Sequence, residues 1–217
     1  MQIFPPWSNA IARTGLVGIV LFLPLLAAVA IAVVRSDFYT GEHMAPEQPV
    51  QFSHRHHIQE VGLDCRYCHT GVETGEFAGI PTTYTCMTCH SQIWNESPML
   101  EPVRQSIIND QPLRWQRVNN LPDHVYFDHS IHINKGVACT VCHGDVSQMA
   151  LTYAEHPLHM RWCLDCHRRP EDFIRPRETI FESDWRPEEA QREVGLRLVE
   201  EYGISRGHLD DCTVCHR

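Results

Sequence analysis

No run of five or more basic residues occurs in this sequence, and its 27 acidic side chains outnumber its 18 basic ones, for a formal net charge of −9. That balance argues against nucleic acid as a partner. There is no Ser/His/Asp constellation, no phosphate-cradling glycine loop and no paired catalytic carboxylate, so no residue is expected to act as a catalyst. Beyond the first forty residues the chain is also short of periodic apolar runs, and 14 prolines interrupt its 217 residues. A core built from side chains alone is thin for that length, so something else must fill the middle. Two further absences matter. No charge lies between Arg13 and Arg35, and no cysteine stands outside a pair.

The 21 residues Thr14 to Val34 span about 31 Å as a helix, the thickness of a bilayer core. Pro24 in mid-span is tolerable in lipid, where neighbouring helices satisfy the freed carbonyl. Ala28-Val29-Ala30 looks like a signal-peptide cleavage site, but a run of 21 residues exceeds the roughly 7–15 of a signal's apolar region. The expectation is an uncleaved anchor, with a cytoplasmic segment 1–13, a transmembrane helix 14–34 and an exported domain 35–217. One Arg at each end leaves the anchor unoriented by charge.

All ten cysteines fall into five Cys-x-x-Cys pairs, each followed at once by His. They are Cys65, Cys68 and His69; Cys86, Cys89 and His90; Cys139, Cys142 and His143; Cys163, Cys166 and His167; and Cys212, Cys215 and His216. With 15 His in the chain, five such placements have a chance probability of about one in a million. Two thiols at this spacing add to the two vinyl groups of a haem, and the adjacent imidazole reaches the iron as proximal ligand. Zinc is the main competitor, because the gaps Cys68–Cys86 and Cys142–Cys163 suit paired zinc knuckles. Zinc gives no reason for a His after every pair, however, and it orphans the fifth. Disulfides need the His no more than zinc does. Five covalent haem c groups are therefore expected. Covalent attachment takes place outside the cytoplasmic membrane, so everything after Val34 is expected on the periplasmic side.

Phe52-Ser53-His54-Arg55-His56-His57 ends seven residues before Cys65, and Phe127-Asp128-His129-Ser130-Ile131-His132 ends six residues before Cys139. Each stretch runs on through a glycine to a pair of motifs. The exported part thus reads as two haem-pair repeats, about 50–104 and 125–177, with a fifth haem at 208–217. Pro98, Pro102, Pro112 and Pro122 favour extended chain and turns between the repeats. Two imidazoles three residues apart can each approach a different iron, making His54, His57, His129 and His132 the expected distal ligands. His56 breaks the pattern and reads as exposed. For the fifth iron the candidates are His43, His124, His156, His159, His208 and Met160. A His/Met iron stands at higher potential than its bis-His neighbours. A helix is expected over about 184–203, capped by Ser183 or Asp184, with Pro187 in its first turn and Gly203 as its stop. Asp37, Glu42, Glu47, Glu188, Glu189, Glu200 and Glu201 read as solvated faces.

With its one anchor and five motifs, the sequence resembles the pentahaem cytochrome c subunit of alternative complex III, a membrane quinol oxidoreductase. More broadly it resembles class III-like multihaem cytochromes c. The likeness rests on Val125-Tyr126-Phe127-Asp128-His129-Ser130-Ile131-His132 running into Gly136, Val137 and Cys139. It rests also on Leu158, Met160 and Trp162 leading into Cys163-Leu164-Asp165-Cys166-His167-Arg168. The resemblance implies Met160 as fifth distal ligand. It implies one transmembrane helix and a mainly irregular domain with short α-helices wrapped round five haems. The implied partners are an iron–sulfur subunit, polytopic quinol-binding subunits, and a monohaem cytochrome c or terminal oxidase as acceptor. The rival class is a membrane-anchored quinol dehydrogenase or reductase with one open haem.

Overall fold

A computed structural model describes residues 4–216. The chain divides into two compact units, Met1–Glu42 and His43–Arg217. In the first unit, α1 (Ser8–Val34) is an unbroken helix of 27 residues with Pro24 inside it and no buried side chain. At about 1.5 Å per residue it is roughly 40 Å long, enough to cross a hydrocarbon core of about 30 Å. It starts six residues ahead of Thr14 because the last helix-breaking residues are Pro5 and Pro6, and the Ser8 hydroxyl binds the Pro5 carbonyl. One further turn, α2 (Asp37–Thr40), ends at Gly41.

The second unit is short helices joined by irregular chain. Among the described residues it has no strand; isolated antiparallel bridges join Val125 to His216 and Val137 to Ile174. Four of its helices carry cysteine motifs in order: α3 (Cys65–Cys68), α4 (Thr83–His90), then, after α5 (Glu101–Ile108) and α6 (His129–Asn134), α7 (Cys139–His143) and α8 (Met160–Arg168). α9 (Gln191–Glu201) follows, and α10 (Cys212–Cys215) carries the last pair.

Two expectations are corrected here. Pro98 and Pro102 do not hold the inter-repeat segment extended; each opens a helical piece, Pro98–Leu100 and α5, in the first-turn positions where the missing N–H costs nothing. The late helix begins at Gln191 rather than near 184. Pro187 pushes the residue before it out of the helical region, Ala190 is still extended, and neither Ser183 nor Asp184 serves as cap. It ends at Glu201, with Tyr202 as C-cap before Gly203, which takes φ 58°.

The apolar core is sparse and split into three clusters. Val137, Ile174, Val194, Leu198, Val199 and Tyr202 form one, Val72, Ile133, Ala138 and Ile180 another, and Val50, Leu100 and Val103 the third. α9 lies so close to the turn Pro170–Asp172 that a Cβ on Gly195 would stand 1.9 Å from the Glu171 carbonyl oxygen. Glu171 is itself buried and is met by the guanidinium groups of Arg192 at 3.3 Å and Arg206 at 3.4 Å.

Candidate functional site

Each cysteine pair sits on one helical turn, which puts residues three apart on the same face and delivers both thiols to one side with the histidine just beyond. Local capping sets one of these turns and one of the turns that carry paired histidines. The Asp64 carboxylate accepts from the Arg66 backbone N–H at 2.8 Å, starting α3, and is gripped by the Arg66 guanidinium, which holds its carboxyl below the usual range. Asp128 accepts from the N–H groups of Ser130 and Ile131 and starts α6, the turn that bears His129 and His132.

Every motif histidine faces a second imidazole. Ring centres are 6.5 Å apart for His69 and His54, 6.3 Å for His90 and His57, 6.3 Å for His143 and His129, 6.1 Å for His167 and His132, and 5.5 Å for His216 and His124. A metal ion held between two imidazole nitrogens at about 2 Å each sets ring centres about 6 Å apart. The two histidines of one turn therefore divide between two motifs in both repeats.

The outer hydrogen bonds fix which nitrogen is free. Nδ1–H donates to a backbone carbonyl in His57 (Ser53, 2.8 Å), His69 (Gly79, 2.6 Å), His90 (Ile93, 3.2 Å), His129 (Glu76, 2.9 Å), His132 (Asp128, 2.7 Å), His167 (Leu209, 2.6 Å) and His216 (His124, 3.2 Å). A carbonyl accepts only, so Nε2 in each keeps its lone pair for a metal. His54 pairs through Nδ1 with the Thr152 hydroxyl at 2.8 Å. His143 has its Nδ1 2.9 Å from Asn119, whose Oδ1 is buried without a partner. Turning that amide over gives Oδ1 the Nδ1–H it lacks and leaves His143 Nε2 free as well. Burial, followed by the charges of neighbouring imidazoles, pushes both His54 and His143 down to about 4, so they are neutral donors at physiological pH.

The repeat explains two further residues. Phe52 lies 4.3 Å from His57 and 4.9 Å from His54, one contact stacked and one edge-on. Phe127 repeats this against His132 at 4.4 Å and His129 at 4.8 Å. Each phenyl ring thus braces both imidazoles of its turn, a role that its recurrence in register could have signalled. The first repeat is one residue longer before its motif, and that residue is absorbed by a π-turn, His56–Glu60, where the second repeat has plain α-helix. His56 is consequently not simply exposed: its ring stacks 5.9 Å from Trp94 and its Nδ1 meets Glu60.

Met160 stands at the start of α8, 65% exposed, and the imidazole opposite His216 belongs to His124. The bridge Val125–His216 and the 2.8 Å bond from Tyr126 N–H to the Cys215 carbonyl hold the two segments together. Among the other candidates, His43 pairs with Glu155, His156 stacks on Trp162, His159 precedes α8 and His208 bonds Asp211. No disulfide joins any of the ten cysteines, and among the described residues no three His, Cys, Asp or Glu side chains gather as a closed zinc site requires. Two thiols and two opposed imidazoles suit a planar macrocycle that brings its own four nitrogens.

This donor set, repeated along a thin-cored and strandless domain, defines a multihaem cytochrome c. Residues 125–217 match the family model of cytochrome c7 and related cytochrome c. Over 142 residues the chain is 31% identical to the multihaem cytochrome c subunit of menaquinone reductase from Nitratidesulfovibrio vulgaris, covering 56% of this chain and 68% of that one. The chain belongs to the multihaem cytochromes c of the cytochrome c7-related family, electron-transport proteins with covalently bound haem c.

Proposed function

We propose that the chain is the electron-transfer subunit of a membrane quinol:acceptor oxidoreductase of the alternative complex III type, carrying five haem c groups. The thioether residues in this reading are Cys65, Cys68, Cys86, Cys89, Cys139, Cys142, Cys163, Cys166, Cys212 and Cys215, with His69, His90, His143, His167 and His216 as proximal ligands. The distal ligands are His54, His57, His129 and His132, with His124 in place of Met160. Haem, when bound, supplies a one-electron carrier at each motif. Burial lowers the imidazoles of His54, His57, His132 and His143, the Nδ1 hydrogen bonds to backbone carbonyls aim seven of the rings, and the opposed pairs would hold a haem iron from both faces. The observation that carries the reading is the second imidazole opposite every motif histidine, which leaves no coordination position for a substrate. Residues 14–34 anchor it, 1–13 face the cytoplasm and 35–217 the periplasm. Electrons arrive from an iron–sulfur subunit served by polytopic quinol-binding subunits and leave to a monohaem cytochrome c or terminal oxidase.

A second reading differs only in direction. The relative named for menaquinone reductase favours a flow from the haems toward quinone. Mixing menaquinol with the purified chain and with the native complex tests both. Haem reduction in the complex but not in the isolated chain supports a quinol-oxidising subunit. Reduction of the isolated chain overturns it in favour of a self-sufficient quinol dehydrogenase, and a complex that only passes electrons from its haems to menaquinone establishes the second reading.

A further inference from the structure

We propose that the five attachment motifs are ordered in space second–first–third–fourth–fifth, so that partners exchange electrons at the second and fifth motifs. The proposal rests on the five-haem reading above and adds the conducting order and its two ends, neither of which follows from position along the chain.

The contacts run link by link. Between the first and second motifs, the Thr88 hydroxyl donates to the Thr85 carbonyl and accepts from the Tyr67 hydroxyl at 2.7 Å. Tyr67 and Thr88 are the third residues of their respective Cys-x-x-Cys turns. Between the first and third, the link is apolar packing and backbone hydrogen bonding. Val72 and Ala78, which follow the first motif, pack with Cys139 and Val141 of the third. The backbone adds His129 N–H to Glu76 at 3.1 Å and Ser130 N–H to Gly75 at 3.2 Å. Between the third and fourth, one turn of α6 serves both through His129 and His132. Between the fourth and fifth, His167 donates to Leu209 and Arg168 Nε donates to Asp210 at 3.1 Å.

The repeat accounts for this order. Cys65 and Cys139 are equivalent positions in the two repeats, so the halves meet through their first motifs and turn their second motifs outward. Exposure agrees independently. Of the ten cysteines only Cys89 and Cys212 are exposed, one in the second motif and one in the fifth. The third motif, at the centre, directly follows the buried Val137 and Ala138.

The test is an experimental map of the haem-loaded full chain, purified with its complex, read as iron–iron separations. The expected result is that the four shortest are second to first, first to third, third to fourth and fourth to fifth. A second iron closer to the third than the first iron is, or a fifth iron beside the second, overturns the order while leaving the electron-carrier reading intact. Fewer than five irons overturns that underlying reading, and the order with it.

Discussion

At the residue scale the fifth site is the sharpest case. His124 stands opposite His216 at 5.5 Å between ring centres, whereas Met160 is 65% exposed. Replacing His124 with Ala is expected to turn one of five ferric irons high-spin, and Met160→Ala to leave all of them low-spin, read by electron paramagnetic resonance. The opposite pattern restores methionine as the ligand. The neutral imidazoles also fix a pH dependence. His54 and His143 are lowered to about 4 from 6.5. The unfolded chain therefore takes up protons below 6.5 that the native state refuses until about 4, and stability falls as pH drops through that window. Iron holds the same nitrogens unprotonated, so loading with haem keeps the sign. Denaturant unfolding followed by the low-spin spectrum is expected to need less denaturant at pH 4 than at pH 7; a low-spin form equally stable to unfolding at both contradicts it.

At the element scale, the packing of α9 on Pro170–Asp172 depends on a missing side chain. Gly195→Ala gains about 1 kcal/mol of helix propensity but drives a Cβ to 1.9 Å from the Glu171 carbonyl oxygen. The overlap costs about 1–3 kcal/mol or more, so chemical denaturation is expected to show a net loss, and a more stable variant refutes the contact. Elements also mark where the sequence was readable. The motif turns and the paired distal histidines repeat in register, and a repeat is visible without coordinates. α5 is hidden in the sequence because Pro98 and Pro102 look like breakers until their first-turn positions are known. The sequence overextends the late helix because Pro187 fits a first turn as well as it blocks one. His124 occurs once, outside any repeat, and only the pairing of residues 125 and 126 with 215 and 216 brings it to the last motif. Asn119 carries no sequence signal, since its partner His143 lies 24 positions away.

At the scale of the whole molecule, three small apolar clusters do not make a core for the unit His43–Arg217, and porphyrin faces are expected to supply the missing apolar contact. The third motif is central, so Cys139→Ala with Cys142→Ala is expected to give a degraded or misfolded chain in immunoblots of membranes. Normal accumulation of a four-haem form contradicts a structural role for that haem. The account as a whole requires that every iron be closed on both sides. Magnetic circular dichroism of the oxidised, full-length chain tests this most directly: five low-spin ferric haems with nitrogen ligation on both faces is the result predicted. A high-spin centre that takes up cyanide, or a colourless chain, contradicts it.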